Sequence, residues 1–347
     1  KTFNKQEHDS DVPPRKIQRI VEDKNGYIWV KTIDRKLYVF NKVTECFHAV
    51  YDDMKNYSEN IQVIKLQNTA EGDVLLLTKD KNLLLAGVDE KGQVTIKILF
   101  DSRDEINKHD YTLKHHVLCE TEEYISWIGT DYKVSAVHKG AELASRPADF
   151  ITSKINSGDK DSFTSFFEDG RKVWVGDRAG IFYSIDVRTG LVNRYVLSEI
   201  KGAISNLLVT PAGYVYLSVA GQGTYEYDLA ERRLQKINTE MNDAMVTHAF
   251  IDQYDKIWFH ENEKALIYYD PLNHTAKRFP FTMFGKITTL YSEDAGERGL
   301  FFLSPAGEAW LFDREHVEMV YINKLKQLSN DRANQQFYHL MLDNDGV

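Results

Sequence analysis

The chain has 347 residues, with 43 Lys or Arg against 52 Asp or Glu and a formal net charge of −9. Nucleic acids and anionic membranes bind to a dense basic stripe, and an acidic chain with interspersed charges lacks one. Neither is therefore expected as a partner. Two cysteines, Cys46 and Cys119, are too few for a disulfide framework, and no apolar run approaches the ~20 residues of a membrane-spanning helix.

A strand–turn–strand unit recurs along the chain, and its clearest copy covers residues 17–30. In each copy an acidic or polar turn precedes a strand that carries a large apolar anchor. The anchors are Trp29, Leu75, Trp127, Trp174, Tyr216, Trp258 and Phe302. They lie 42 to 52 residues apart, and a period of roughly 40–50 residues is typical of propeller blades. The sequence therefore predicts an all-β fold, a seven-bladed β-propeller over residues 1–336.

The fourth copy shows how one repeat is divided. Its short apolar or alternating runs are residues 163–167, 172–176, 180–186 and 192–196. Four such runs with turn residues between them predict a four-stranded antiparallel meander. Residues 337–347 begin an eighth copy, which predicts the first strand of a following repeat or of a second propeller.

The residues that recur in every copy are predicted to be structural. The anchors are expected to fill the space between adjacent blades. An Asp or Asn at the end of the third strand is expected to accept a hydrogen bond from the backbone two residues on. These turn residues are Asn41, Asp186, Asp228, Asp270 and Asp313.

Catalytic motifs do not emerge from the sequence. His260 opens a zincin-like run but has no second His four residues later. We therefore expect no catalytic residue, no metal and no cofactor in this chain, and we predict that it is not an enzyme. Two alternatives stay open: a propeller-fold polysaccharide lyase or glycoside hydrolase whose acidic residues, or His with Tyr, converge from distant blades, and a protein-interaction scaffold.

Residues 21–32 and 251–259 resemble the regulator-propeller repeat, an acidic turn followed by an apolar-Trp strand, and residues 126–130 and 173–177 resemble its second half. Such repeats occur chiefly in the sensor regions of hybrid two-component systems from glycan-degrading gut bacteria. There, two seven-bladed propellers precede a β-sandwich, a membrane helix, and histidine-kinase and regulator domains.

The resemblance implies a periplasmic sensor propeller with an oligosaccharide ligand. It further implies that the full-length protein, called the parent here, has a second propeller and a β-sandwich in the same chain. The parent would be a homodimer anchored in the membrane, and this fragment would not contact the membrane. The parent would carry the kinase activity, and the propeller would pass a conformational signal to it.

The turns between the second and third strands are the predicted binding face, because loops vary while the sheets hold them in place. The first four copies each present a cation there and the last three present none. An anionic oligosaccharide is thus expected to contact Arg35, Lys81, Lys133 and Arg178, with Tyr132 as a stacking platform. The alternative is that these polar residues only solvate the hairpin tips.

Overall fold

A computed structural model describes residues 17–50, 54, 62–80, 82–101, 118–121, 123–128, 133–140, 150–154, 163–237, 246–261, 263–284, 291–294, 299–304 and 306–324. The chain divides between Thr152 and Ser153 into two compact units. The predicted boundary between residues 336 and 337 lies outside the described residues.

The first unit contains three four-stranded sheets, called blades one to three, and β12 runs across the boundary between the units. Their strands are β1 (Ile17–Glu22), β2 (Ile28–Thr32), β3 (Leu37–Asn41) and β4 (Cys46–Ala49); β5 (Val63–Asn68), β6 (Val74–Thr78), β7 (Leu83–Val88) and β8 (Val94–Phe100); and β9 (Leu118–Glu120), β10 (Tyr124–Ile128), β11 (Lys133–His138) and β12 (Phe150–Lys154).

The second unit contains four more sheets, blades four to seven. Their strands are β13 (Phe163–Glu168), β14 (Lys172–Asp177), β15 (Ile181–Asp186) and β16 (Val192–Val196); β17 (Ile204–Val209), β18 (Tyr214–Val219), β19 (Gly223–Asp228) and β20 (Arg233–Lys236); β21 (Val246–Ile251), β22 (Ile257–Glu261), β23 (Ala265–Asp270) and β24 (Thr275–Pro280); and β25 (Tyr291–Asp294), β26 (Leu300–Leu303), β27 (Glu308–Asp313) and β28 (Glu318–Lys324). A 3-10 turn, Phe281–Phe284, follows β24.

Every sheet places its strands side by side in chain order, and the described pairs are antiparallel. The predicted all-β propeller of four-stranded antiparallel sheets is therefore confirmed. Register is described for all three strand pairs in six blades, whereas in blade three it is described for β9, β10 and β11 only. Six blades are thus described in full, rather than the predicted seven, and blade three is described as a four-stranded sheet without the register of β12. Closure of seven blades into one ring stays a prediction.

The first strands of several consecutive blades lie next to one another: β1 beside β5 in the first unit, and β13 beside β17 and β17 beside β21 in the second. Five of these first strands carry the same register shift between their first and third residues, in β1, β5, β13, β17 and β21. A bulge bends a strand and increases its twist. This shared irregularity marks the same edge of these five blades.

Five of the anchors pack against the following blade, in the predicted space between adjacent blades: Trp29, Leu75, Trp174, Tyr216 and Trp258. Trp29 is fully buried with Val63 and Val74 of blade two, and Trp258 is fully buried with Phe302 of blade seven. Tyr216 packs with Val246 of blade six in the same way. The side chain of Trp127 lies outside the described residues. Burial of large apolar surface between sheets is what stabilises a stacked-sheet fold.

The Asp and Asn residues after the third strands also have the predicted role. Their Oδ1 atoms accept hydrogen bonds from the backbone N–H two residues on, at 2.8–3.0 Å. The donors are Val43, Arg188, Ala230, Leu272 and Glu315. Cys46 is a free, exposed thiol, and the side chain of Cys119 lies outside the described residues.

Candidate functional site

A second repeated contact, which the sequence analysis did not predict, joins the first turn of a blade to its anchor. Asp23 Oδ1 accepts the backbone N–H groups of Asn25 and Tyr27, both at 3.0 Å, and its Oδ2 accepts the Trp29 indole N–H at 2.8 Å. The same carboxylate–indole bond joins Asp169 to Trp174 and Asp252 to Trp258. This turn and the anchor therefore form one structural device in blades one, four and six.

Blade five departs from that device at both positions. Its turn has Thr210 where blades one, four and six have Asp, as blades two and three have Thr69 and Thr121, and its anchor is Tyr216 instead of Trp. The Tyr216 hydroxyl donates to Glu226 Oε2 at 2.8 Å, on the neighbouring strand β19. In the other described blades the residue opposite the anchor is Val39, Leu85, Ser135, Ser184, Tyr268 or Trp310. A carboxylate at this position is thus specific to blade five.

A cavity of about 660 Å³ lies where blade five departs from the repeat. Turns of blade five and blade six surround it, and all of its lining belongs to the second unit. The apolar part of the lining includes Pro211, Ala212, Tyr254 and Leu272. Its volume falls within the ~300–1,000 Å³ of small-molecule sites, which combine apolar walls with a few polar groups.

Glu226 is the buried polar group of this cavity. It is 5% exposed, and its described hydrogen-bond donors are neutral: the Tyr216 hydroxyl and Gln235 Nε2, the latter at 2.7 Å from Oε1. A second cavity of about 590 Å³, at blade one, is lined by the half-buried Glu22, which pairs with Lys42 Nζ at 2.8 Å. The cavity at blade five therefore contains a carboxylate that lacks such a cationic partner among its described contacts.

The tyrosines around Glu226 are held in the neutral form. Burial, together with the hydrogen bond to Glu226 and the charge of that carboxylate, raises the pKa of Tyr216 far above its ordinary value. Burial and the Glu226 charge raise the pKa of Tyr269 to about 12. Its hydroxyl lies 3.0 Å from His274 Nδ1. A general base needs a pKa near the working pH, so these shifts run against the use of either phenol as a base.

The mouth of the cavity carries an aromatic ring and three cations, two of which belong to the lining. Tyr254 is 50% exposed, and the Arg314 guanidinium lies 3.8 Å from its ring centroid. Lys256 Nζ binds Asp270 Oδ1 at 2.8 Å, and this hydrogen bond raises the pKa of Lys256. Arg233, the second cation of the lining, is exposed.

Two of the predicted binding residues, Arg35 and Arg178, lie as exposed side chains in turns between second and third strands. The backbone of Arg35 is part of the scaffold, since its carbonyl accepts the N–H of Val63 at 3.0 Å at the start of blade two. Its φ of 66° is in the left-handed region. Arg178 follows Asp177, whose Oδ1 accepts two turn N–H groups.

The other three predicted contacts are not tested by the structure. Lys81 and Tyr132 lie outside the described residues, and only the backbone of Lys133 is described, in β11. Arg35 and Arg178 belong to different units. A shared anionic site at these tips therefore stays a prediction.

The sequence analysis missed Glu226, Tyr254 and the cavity, although it contained a signal for them. Blade five had already departed from the repeat in its Tyr anchor and in its turn at residues 211–213. The decisive pairing of Tyr216 with Glu226 depends on strand register, which sequence spacing did not supply. Within the described residues, no His, Cys, Asp or Glu side chains form a group suited to a metal ion, and no helix could cross a membrane.

No protein-family profile matches the sequence, and no curated protein matches it either. Among solved structures, two of the extracellular domain of BT4673 from B. thetaiotaomicron are similar to it. One is termed a putative one-component system and the other a putative hybrid two-component system. They match 95% of this chain with 15% and 14% sequence identity and TM-scores of 0.50. The match covers 50% of each, so this chain spans about half their length.

Propellers of other kinds are also similar. A catalytically inactive virginiamycin B lyase from Staphylococcus aureus, solved with quinupristin, matches 84% of this chain and 93% of its own with 10% identity and a TM-score of 0.53. BamB from Moraxella catarrhalis matches 90% of this chain and 87% of its own with 10% identity and a TM-score of 0.54. At such identities these similarities establish the propeller fold, and function has to be argued from the site.

Proposed function

We propose that this chain is a ligand-binding propeller in the extracytoplasmic region of a two-component sensor, and that its ligand is an oligosaccharide. The observation that carries the proposal is the match of 95% of the chain to the extracellular domain of BT4673, of which it spans half. The regulator-type repeats at residues 21–32 and 251–259 support it. A periplasmic location, a second propeller and β-sandwich in the parent, and a homodimeric arrangement belong to the same proposal.

The cavity at blade five supports binding without catalysis. A binding site needs apolar walls and a few fixed polar groups, and this cavity has both. A polysaccharide lyase would instead need a base, and the raised pKa values of Tyr216 and Tyr269 oppose that use. The ligand would act by changing the stability of one conformation relative to another, as in any binding-driven signal.

Isothermal titration calorimetry of the 347-residue chain tests the proposal. The titrants are neutral malto-, cello-, xylo- and manno-oligosaccharides, and anionic oligogalacturonates and heparin-derived fragments. At least one should bind with a dissociation constant between about 1 μM and 1 mM, that is, with roughly −8 to −4 kcal/mol. Absence of binding throughout this panel would overturn the proposal.

The enzyme alternative is tested on the same panel. Each oligosaccharide is incubated with the chain, and its products are separated by size. We expect every oligosaccharide to be recovered intact. Shortened products that a heat-denatured sample does not give would replace the sensor proposal with a lyase or hydrolase.

The parent protein is tested by reading the complete open reading frame. The proposal expects a membrane helix and histidine-kinase motifs downstream of this chain. A frame that instead encodes a secreted protein without a membrane helix would contradict the two-component assignment.

The predicted anionic site at the hairpin tips has its own test. Arg35→Ala with Arg178→Ala should weaken binding of an oligogalacturonate or heparin fragment, and the loss should shrink at high salt because exposed charges are screened. Unchanged affinity would remove these two residues from the binding face. The matched control is Lys91→Ala with Arg188→Ala, which removes two exposed cations from turns between third and fourth strands.

A further inference from the structure

The carboxylate in the cavity at blade five has spare capacity to accept hydrogen bonds. Glu226 receives one neutral donor on each oxygen, from Tyr216 and Gln235. Each carboxylate oxygen can accept two hydrogen bonds. Glu226 is 5% exposed, so bulk water gives its carboxylate little solvation. Further hydrogen-bond donors from a ligand would therefore stabilise its charge. Sugar hydroxyls are such donors.

The ring of Tyr254 is held in place at the mouth of the same cavity. Its backbone N–H donates to Asp252 Oδ1 at 2.9 Å, and the Arg314 guanidinium lies 3.8 Å from its centroid. Half of the residue remains exposed. A fixed, exposed ring offers a flat apolar surface with little ordering cost on binding. The apolar face of a pyranose ring matches such a surface.

The charges select among sugars. An anionic substituent close to Glu226 would meet a like charge in a poorly solvated place. A cationic amino sugar would pass Arg233 and Lys256 at the mouth. A neutral ring meets neither penalty, and its hydroxyl groups satisfy the carboxylate.

We propose that this cavity is the sugar-binding subsite of the chain and that it takes a neutral sugar ring. The ring hydroxyls donate to Glu226 and one ring face lies on Tyr254. This inference rests on the proposed sensor function, which it deepens by assigning the site and the ligand class. It places the subsite at the turns after first and third strands, away from the hairpin tips at Arg35 and Arg178.

The test is calorimetry of the full 347-residue chain and three variants. The titrants are the neutral malto-, cello-, xylo- and manno-oligosaccharides. Glu226→Gln keeps the side-chain shape and removes the charge, and Tyr254→Ala removes the ring. Each should weaken binding about tenfold or more, because charged acceptors and aromatic contacts are each worth roughly 1–2 kcal/mol. Ala212→Trp places a large ring at the exposed mouth and should abolish binding.

Tyr321→Ala is the matched control, since Tyr321 is 53% exposed and lies in β28, away from the cavity. It should bind as tightly as the unchanged chain. Thermal melting of every variant verifies folding. Tyr254→Ala and Ala212→Trp change exposed positions, so they keep the test valid if Glu226→Gln fails to fold.

The outcomes separate the two proposals. If a neutral sugar binds but Tyr254→Ala and Ala212→Trp bind it equally well, the subsite assignment is wrong and the sensor proposal survives. If the oligogalacturonates or heparin-derived fragments bind more tightly than the neutral sugars and Tyr254→Ala weakens that binding, the ligand class is wrong. If nothing in the panel binds, both proposals fail together.

Discussion

Replacing Asp23 with Ala should destabilise the fold far more than replacing Asp89 with Ala, although the two residues make identical backbone contacts. Each Oδ1 accepts N–H groups from residues two and four positions on, at 2.8–3.0 Å. Each turn also has a backbone bond of 2.9 Å from the Asp N–H to the carbonyl four residues on. Asp23 differs because its Oδ2 also accepts the indole N–H of Trp29.

The difference can be estimated from burial. Asp23 is 2% exposed and Trp29 is 0% exposed, so Asp23→Ala leaves the indole N–H without a partner in the core. Losing a buried hydrogen bond to a charged acceptor costs about 1.5–3 kcal/mol, whereas the exposed turn bonds of Asp89 contribute about 1 kcal/mol. We therefore expect Asp23→Ala to lose about 2.5–4 kcal/mol in total and Asp89→Ala about 1 kcal/mol.

Urea unfolding followed by circular dichroism measures both free energies of unfolding at matched m-values. A double-mutant cycle with Trp29→Phe isolates the indole–carboxylate pair, and its coupling energy should be about 1.5–3 kcal/mol. A difference between Asp23→Ala and Asp89→Ala below about 0.5 kcal/mol would refute the claim that this bond stabilises the repeat.

Two further changes test blade packing and pH dependence. A Cβ at Gly176 would lie 2.4 Å from the Ser165 hydroxyl and 2.7 Å from Ile204 of the next blade, so Gly176→Ala should lower the free energy of unfolding by about 1–3 kcal/mol. The control is Gly87→Ala, where a Cβ would meet nothing closer than 3.6 Å. It should change the free energy of unfolding by less than about 0.5 kcal/mol in the same urea assay. Equal losses in the two variants would contradict the packing argument. The hydrogen bond to Asp313 raises the pKa of His316 above 6.5. While Asp313 is ionised, the pair therefore stabilises the fold below pH 6.5, and its contribution is lost as pH rises through the folded pKa of His316. An NMR titration should show a raised His316 midpoint that returns toward 6.5 in Asp313→Asn, and an unchanged midpoint would contradict this pairing.

The sequence was sufficient to predict the strands, because turn residues and apolar alternation repeat locally. Asn41 and Asp228 are examples: their turn bonds span two residues, so a local pattern was enough to predict them. The burial of Trp29 and Trp258 also followed from the period, since equivalent positions in a repeat face equivalent neighbours.

The binding cavity could not be predicted in the same way. Glu226 faces Tyr216 because of the register of β18 against β19, and a shift of one residue would have turned it to the other face of the sheet. Tyr254 comes from the following blade and borders the cavity only through packing between sheets. The hairpin tips were favoured because charge is visible in sequence, whereas a cavity formed by turns of two blades is visible only in three dimensions.

Hydrogen exchange of the 347-residue chain, with and without the malto-, cello-, xylo- or manno-oligosaccharide that binds in calorimetry, tests the central claim most directly. Binding at the cavity should slow amide exchange in residues 210–216, 252–258 and 270–274, because these segments line it. Protection confined to the hairpin tips at residues 32–37 and 177–181, with the cavity segments unchanged, would contradict the account.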